Sequence, residues 1–257
     1  MSVSIDSVSF EYGLGAAKGG LPVLDGVTLS IEPGAFVAVL GPSGCGKTTL
    51  LKLVDGLLVP TKGRVEVNGA PVRAPSPEKA MVFQHPSLLP WRTVDGNVAY
   101  GLELTGVGGE LLKSRVKSSV ELVGLGGFES YFPHALSGGM QQRVNIARAA
   151  ALDPQILLMD EPFGSLDAQT REDLQMEFLS IFRKTRKTVV FVTHDIAEAV
   201  FMSDFVAVLS QRPAKVKELV KIDIPRPRAP EVRDSSAFAG YYRRLWSMLH
   251  RPEEGAT

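Results

Sequence analysis

Phe36–Leu51, FVAVLGPSGCGKTTLL, constrains the fold more than any other stretch of the chain. Phe36–Leu40 is a short apolar run with two valines, suited to a buried strand. Gly41-Pro42-Ser43-Gly44-Cys45-Gly46-Lys47-Thr48 follows without a gap and fits G-x-x-x-x-G-K-[ST]. A helix-like run, TTLLKLVDGL, comes next. Glycines let such a loop curl and aim successive N–H groups at phosphate oxygens. Lys47 adds a point charge toward the β and γ phosphates, and the Thr48 hydroxyl suits Mg²⁺. The helix that starts near Lys47 turns its positive end toward the same anion. The loop predicts phosphate binding, but by itself it does not separate a transporter ATPase from a kinase or a GTPase.

The chain has 257 residues, enough for a sizeable core. Its 28 basic and 28 acidic residues cancel, so overall charge gives no push toward nucleic acid. Hydrophobic residues make up 44% and charged residues 22%, which fits a soluble globular protein. No apolar run approaches the ~18 residues of a membrane span. MSVSIDSVSF lacks the basic patch and apolar core of a secretory signal. Cys45 is the only cysteine, which excludes an intramolecular disulfide and fits a reducing cytoplasm. Because the loop works through its backbone, Cys45 is expected to be a small side chain turned away from the phosphates.

Along the chain, Val3–Tyr12 alternates like an amphipathic strand with one slip of phase. Gly13–Pro22 reads as a glycine-rich turn and Val23–Ile31 as a second strand. Tyr12, at the strand end, can stack on a flat ring or pack half-buried. Arg64–Asn68 and Val72 flank the hairpin turn Asn68-Gly69. Lys79–Gln84 reads as a short strand, and Gln84 at its end can reach metal or water or face solvent. His85–Trp91 is apolar but bracketed by prolines, so it is no helix interior. Thr93 caps a helix to about Leu104, and Leu111–Leu122 is a second helix. Phe128–Phe132 makes one turn of helix at most.

Ser137 suits a helix N-cap, and Gly138 and Gly139 leave N–H groups open at that helix start. This second anion-seeking helix start is hard to use on one nucleotide from one subunit, whereas a head-to-tail dimer uses both. An ordinary glycine-relaxed cap is the other reading. Ile156–Pro162, ILLMDEP, reads as a buried strand delivering Asp160 and Glu161 at its carboxyl end, where open α/β sheets bind ligands. Strand alternation would turn the two acids opposite ways, Asp160 toward Mg²⁺ and Glu161 toward an attacking water. Ser165-Leu166-Asp167 makes a turn and cap for a helix over Gln169–Phe182. Thr188–Thr193 is the most strand-like stretch and ends at His194, well placed for a γ phosphate, with Asp195 capping the next helix. Phe205–Leu209 and Ala214–Ile222 are further strands, Pro225–Pro230 a stiff basic linker, and Ser235–Leu249 a closing helix whose apolar face is Tyr241, Tyr242, Leu245, Trp246 and Leu249. Arg251–Thr257 is expected to fray. The order of elements predicts an α/β protein with an N-terminal antiparallel β subdomain and an inserted all-helical subdomain.

Taken together, the motifs from Val3 to Leu249 resemble the ATP-binding subunit of ABC transporters. GPSGCGKTT (Gly41–Thr49) looks like the first phosphate loop of that family, so Gly41, Pro42, Ser43, Gly44, Cys45, Gly46, Lys47, Thr48 and Thr49 are implied nucleotide contacts. LSGGMQQR (Leu136–Arg143) matches the family signature and implies Ser137, Gly138, Gly139 and Gln141 at the nucleotide. Asp167 matches the dimer-contact loop, Tyr12 the adenine-stacking aromatic, Glu161 the catalytic glutamate, and His194 the switch histidine. Gln84 matches the glutamine that links nucleotide to membrane subunit. Thr48, Gln84 and Asp160 are the implied Mg²⁺ ligands. FQHPSLLPWRTVDGNV, MDEPFGSLDAQTR and RRLWSML look like importers of nitrate, sulfonates, taurine and similar compounds.

The resemblance implies a P-loop NTPase core with mainly parallel sheet. Residues 1–92 and 153–224 would form the ATP-binding core, 93–152 the helical subdomain, and 225–257 a basic linker with a C-terminal helix. ATP and Mg²⁺ are the implied cofactors. The implied partners are a second copy, a permease contacting Gln84–Trp91 and the helical subdomain, and indirectly a solute-binding protein, with no nucleic acid. The implied location is peripheral, on the cytoplasmic face of the inner membrane. A soluble ABC-type ATPase acting on nucleic acid or ribosomes is the alternative. A small-molecule P-loop kinase leaves Leu136–Arg143 without a role.

Overall fold

The computed structural model describes residues 1–13 and 20–251. Residues 14–19 of the expected glycine-rich turn lie outside the described residues, as do residues 252–257 of the expected frayed end. The chain order is β1 (Val3–Tyr12), β2 (Leu21–Ile31), β3 (Phe36–Leu40), α1 (Lys47–Asp55), β4 (Lys62–Val67), β5 (Ala70–Pro71) and β6 (Lys79–Val82). Then come α2 (Val94–Leu104), α3 (Gly109–Leu122), α4 (Gly138–Ala151), β7 (Ile156–Asp160) and α5 (Ala168–Thr185). β8 (Thr188–Thr193), α6 (Ile196–Met202), β9 (Phe205–Leu209), β10 (Val216–Lys221) and α7 (Ser236–His250) complete it. The contacts divide the chain into two compact units, Met1–Ala74 with Thr188–Thr257, and Pro75–Lys187.

The first unit holds two layers of sheet. One is antiparallel, in the order β2-β1-β4-β5. The phase slip in β1 is a bulge. The register shifts between Ile5 and Val8, and Ser7 takes a positive φ of 51°. Gly63 sits against that bulge with φ 75°, and a Cβ there would lie 2.3 Å from the Ser7 carbonyl oxygen. The other layer has β3 between β8 and β9 in parallel, with β10 antiparallel to β9. All of β3 and β8 is buried, as an apolar run covered on both faces requires. Phe36 and Phe191 meet edge to face there at 5.9 Å.

The segment read as a stiff basic linker is clasped to this unit. Arg228 is 4% exposed and donates to the carbonyls of Val200, Phe201 and Ser203 at 2.8, 3.0 and 2.7 Å. It also donates to Ile224 and Ile222. Those first three acceptors end α6, whose last carbonyls have no partner within the helix. The Arg226 guanidinium pairs with Asp204 at 2.7 Å. Sequence pattern missed this because a buried arginine and a solvated one look alike between prolines. The expected apolar stripe of α7 is only partly covered. Phe238 and Leu245 are buried, whereas Tyr242 and Trp246 are exposed.

In the second unit β6 and β7 pair in parallel, Val82 opposite Met159. The expected strand Lys79–Gln84 stops at Val82, so Phe83 and Gln84 lie beyond the sheet. α2, α3 and α4 pack on one another. Phe128–Phe132, read as one turn of helix at most, forms none, and a short 3-10 turn, Pro133–Ala135, leads into α4.

Candidate functional site

The phosphate loop leaves the carboxyl end of a fully buried strand, and its glycines do separate jobs. Gly46, with φ 119°, is the left-handed N-cap of α1 and makes no side-chain cap bond. A Cβ on Gly46 would stand 2.7 Å from Val23 Cγ1 and 2.9 Å from Leu24 Cδ2. Around Gly44, φ 74°, no described residue beyond its chain neighbours lies within 4 Å of where a Cβ would be. One side of the loop is therefore braced on β2 and the other is open. Lys47 is buried, and its ammonium donates to the carbonyls of Gly41 at 2.8 Å and Pro42 at 3.0 Å. These bonds hold the cation inside the loop's curve.

Gly46→Ala is expected to destabilise the chain by roughly 1–3 kcal/mol, the range for a strained backbone position. Loss of binding of a fluorescent ATP analogue at a temperature where the variant is still folded would be the accompanying sign. Unchanged binding and melting would exclude this bracing role.

Cys45 is 2% exposed, and burial pushes its thiol up from the ordinary range. It packs inward. Tyr12 is 42% exposed and lies 3.2 Å, hydroxyl to hydroxyl oxygen, from Thr49, while Phe10 supports its ring edge to face at 4.8 Å. The ring is thus tethered to the helix that follows the loop and keeps an open surface. Leu40 pairs with Thr193, so Gly41 and His194 leave the sheet side by side. His194 is exposed. The turn that carries it is pinned by groups that sequence pattern did not single out. The Thr193 hydroxyl donates to Glu198 at 2.7 Å and accepts from the Asp195 N–H at 3.0 Å. Asp195 in turn caps α6 through Ala197 and Glu198.

The second unit carries the remaining candidates. β7 ends at Asp160, and Glu161 takes a left-handed φ of 45°. The expected alternation of the two acids along one strand therefore does not apply, because the chain turns between them. A non-glycine residue in this region is held there by its surroundings. Gln84 lies close by, its Nε2 3.3 Å from where a Cβ on Gly164 would be. That same Cβ would be 3.4 Å from the Glu161 carbonyl oxygen.

Ser137 is exposed and caps α4, its hydroxyl accepting from the Met140 N–H at 3.3 Å. Among the described residues, nothing outside its own helix and chain neighbours comes within 4 Å of a would-be Cβ on Gly138, but one on Gly139 would meet Thr170 Cγ2 at 2.6 Å. Gln141 points back, donating to the carbonyls of Pro133 and Leu136. Asp167 caps α5, and the Thr170 N–H it accepts at 3.0 Å holds its carboxyl below the usual range.

A glycine loop closed on its own lysine, set at the end of a buried parallel strand and before a helix, defines a P-loop NTPase core. Here it carries an N-terminal antiparallel β subdomain and inserted helices. The ABC transporter family model matches residues 24–164. An ABC transporter ATP-binding protein of Methanocaldococcus jannaschii is 50% identical over 240 residues, 93% of this chain and 87% of that relative. The taurine import ATP-binding protein TauB of Yersinia pestis is 49% identical over 211 residues, 82% of this chain and 83% of that relative. Among solved structures, the dimeric ATP-binding cassette MJ0796 in a post-hydrolysis state with ADP and phosphate superposes with a TM-score of 0.75. That match has 32% identity and covers 87% of this chain and all of the other, 100%. The chain belongs to the ABC transporter family, as an ATP-binding subunit similar to those of the nitrate, sulfonate and taurine importers.

Proposed function

We propose that two copies of the chain, head to tail, sandwich two ATP molecules and use their hydrolysis to drive import of a small solute through a separate permease. Nitrate, a sulfonate, taurine or a similar compound is the solute class. One observation carries this reading. The chain offers two anion-seeking helix starts, α1 behind the glycine loop and the exposed, Ser137-capped α4. In this reading each ATP is gripped by Gly41–Thr49 of one copy and covered by Ser137, Gly138 and Gly139 of the other.

The loop fits a triphosphate, since it combines an internal cation, an open side at Gly44 and a tethered aromatic. Lys47 exchanges loop carbonyls for phosphate oxygens, and Tyr12 stacks on the adenine. Thr48, Gln84 and Asp160 would hold Mg²⁺, which supplies charge neutralisation between the phosphates. Glu161 orients and deprotonates the attacking water, and His194 senses the γ phosphate. Asp167 and the α5 start meet the second copy. Residues 1–92 and 153–224 serve as the ATP-binding core, 93–152 as the helical subdomain, and 225–257 as a C-terminal extension.

The permease seat is Gln84–Trp91 together with the inserted helices. Trp91, 71% exposed, and Leu104, 70% exposed, support this. So does an open cavity of about 440 Å³ between α2 and α3, lined by Ala99, Leu112 and Val116 and by both charges, Asp95 and Glu129 with Lys113 and Lys117. No helix among the described residues is long and apolar enough to cross a membrane. Peripheral attachment at the cytoplasmic face of the inner membrane, with a solute-binding protein on the far side, completes the reading.

Complementation tests the shared site. Lys47→Ala and Ser137→Arg are each expected to abolish hydrolysis. Mixed in equal amounts, they should recover about a quarter of wild-type activity, because half the dimers are mixed and each holds one intact site. No recovery from a mixture shown to form mixed dimers would defeat the proposal.

A further inference from the structure

The segment after Gln84 contains no regular element from Phe83 to Arg92, yet its backbone is gripped along its length. Gln142, Asn145 and Arg148 recur every three residues and share one face of α4. Gln142 and Asn145 are 0% and 1% exposed, and both donate to the Phe83 carbonyl, at 3.3 and 3.0 Å. The Arg148 guanidinium donates to the carbonyls of Pro86 at 2.8 Å and Ser87 at 3.0 Å, and to Asn145 Oδ1 at 3.0 Å. Ser87 has a left-handed φ of 47°, so the arginine holds a strained turn. From α2, Asn97, fully buried, accepts the Leu89 N–H at 2.8 Å and donates to the carbonyls of Leu89, Arg92 and Thr93.

Buried amides and a guanidinium aimed at backbone carbonyls specify shape and carry no sequence preference for what they hold. The carbonyls held from α4 are those of Phe83, Pro86 and Ser87, on either side of Gln84. The helix that holds them is the one whose first turn is capped by Ser137. We infer that Arg148, with Gln142 and Asn145, is a positioning group that makes α4 a rigid link between the Ser137 end and the Gln84–Trp91 segment. Its guanidinium acts through the backbone of that segment and through Asn145. A change in how Ser137 is engaged moves α4, and the clamp, five to eleven residues further along the helix, carries that movement into the segment. This rests on the reading that ATP brings Ser137 against a second copy's nucleotide.

Hydrogen exchange on the full chain tests it, with Mg·AMP-PNP as the probe. In the wild type, the probe should slow exchange both at 137–139 and at residues 83–92. In Arg148→Met, protection at 137–139 should persist. Residues 83–92 should exchange at least ~10-fold faster and no longer respond to the probe, since local opening is then uncoupled from α4. Arg148→Lys should fall between, because it offers donors from a single nitrogen where the guanidinium reaches Ser87 from one nitrogen and Pro86 and Asn145 from another. It also decides the matter by the same criteria if the methionine variant does not fold. A nucleotide response at 83–92 in Arg148→Met equal to that of the wild type would overturn the inference while leaving the shared site standing. Absence of protection at 137–139 in the wild type would overturn the shared site, and the inference with it.

Discussion

Glu161→Gln should bind Mg·ATP about as well as the wild type yet turn it over roughly 10²–10⁴-fold more slowly, the usual worth of a general base. That loss corresponds to roughly 3–5.5 kcal/mol of transition-state stabilisation. The substitution keeps side-chain length and leaves the φ of 45° as attainable as before, so the turn after β7 survives. What is lost is an anion able to take a proton from water. Because hydrolysis opens the proposed sandwich, the variant should accumulate as an ATP-bound dimer. Size-exclusion chromatography with Mg·ATP, beside a steady-state phosphate release assay, measures both effects. Rapid multiple turnover by the purified variant would remove Glu161 from this role.

The largest stability effect is expected at Arg228. Arg228→Met places an apolar side chain of similar length where a guanidinium now satisfies the carbonyls of Val200, Phe201, Ser203, Ile222 and Ile224. Burial, with Arg226 as a lesser cause, pushes the Arg228 pKa down to about 10, so it is still a cation at neutral pH. The desolvation relieved by methionine is outweighed by the orphaned acceptors, which cost about 1–3 kcal/mol each when buried. Partial access to water reduces that sum, and a net loss of roughly 3–5 kcal/mol is expected. In a chain of this size it lowers the melting temperature by roughly 6–20 °C. Arg228→Lys should recover little, for want of the fork. A thermal melt of Arg228→Met within a degree of wild type would refute the clasp.

The parts of this molecule that sequence reading reached were those whose cause is local. The run Phe36–Leu40 is apolar because it is covered on both faces. Thr93, Ser137, Asp167 and Asp195 cap helices within three residues of themselves. Even the phase slip in β1 marked a real bulge at Ser7. What escaped were polar side chains whose partners are distant in sequence. Arg148 reaches Pro86 across 62 positions, and Asn145 reaches Phe83 across the same 62. On a helix wheel they look like any solvated stripe. Arg228 was hidden in the same way among prolines. The sharp turn at Glu161 escaped for another reason, since no propensity favours a left-handed glutamate and only its surroundings impose one.

Gly139 has one more consequence. Its bare α-carbon lets Thr170 approach, so the starts of α4 and α5 are wedged against each other. The serine that would cover a neighbour's triphosphate and the aspartate that would meet that neighbour thus belong to a single rigid patch. If two copies share each triphosphate as proposed, loading fuel and recruiting a twin become one event.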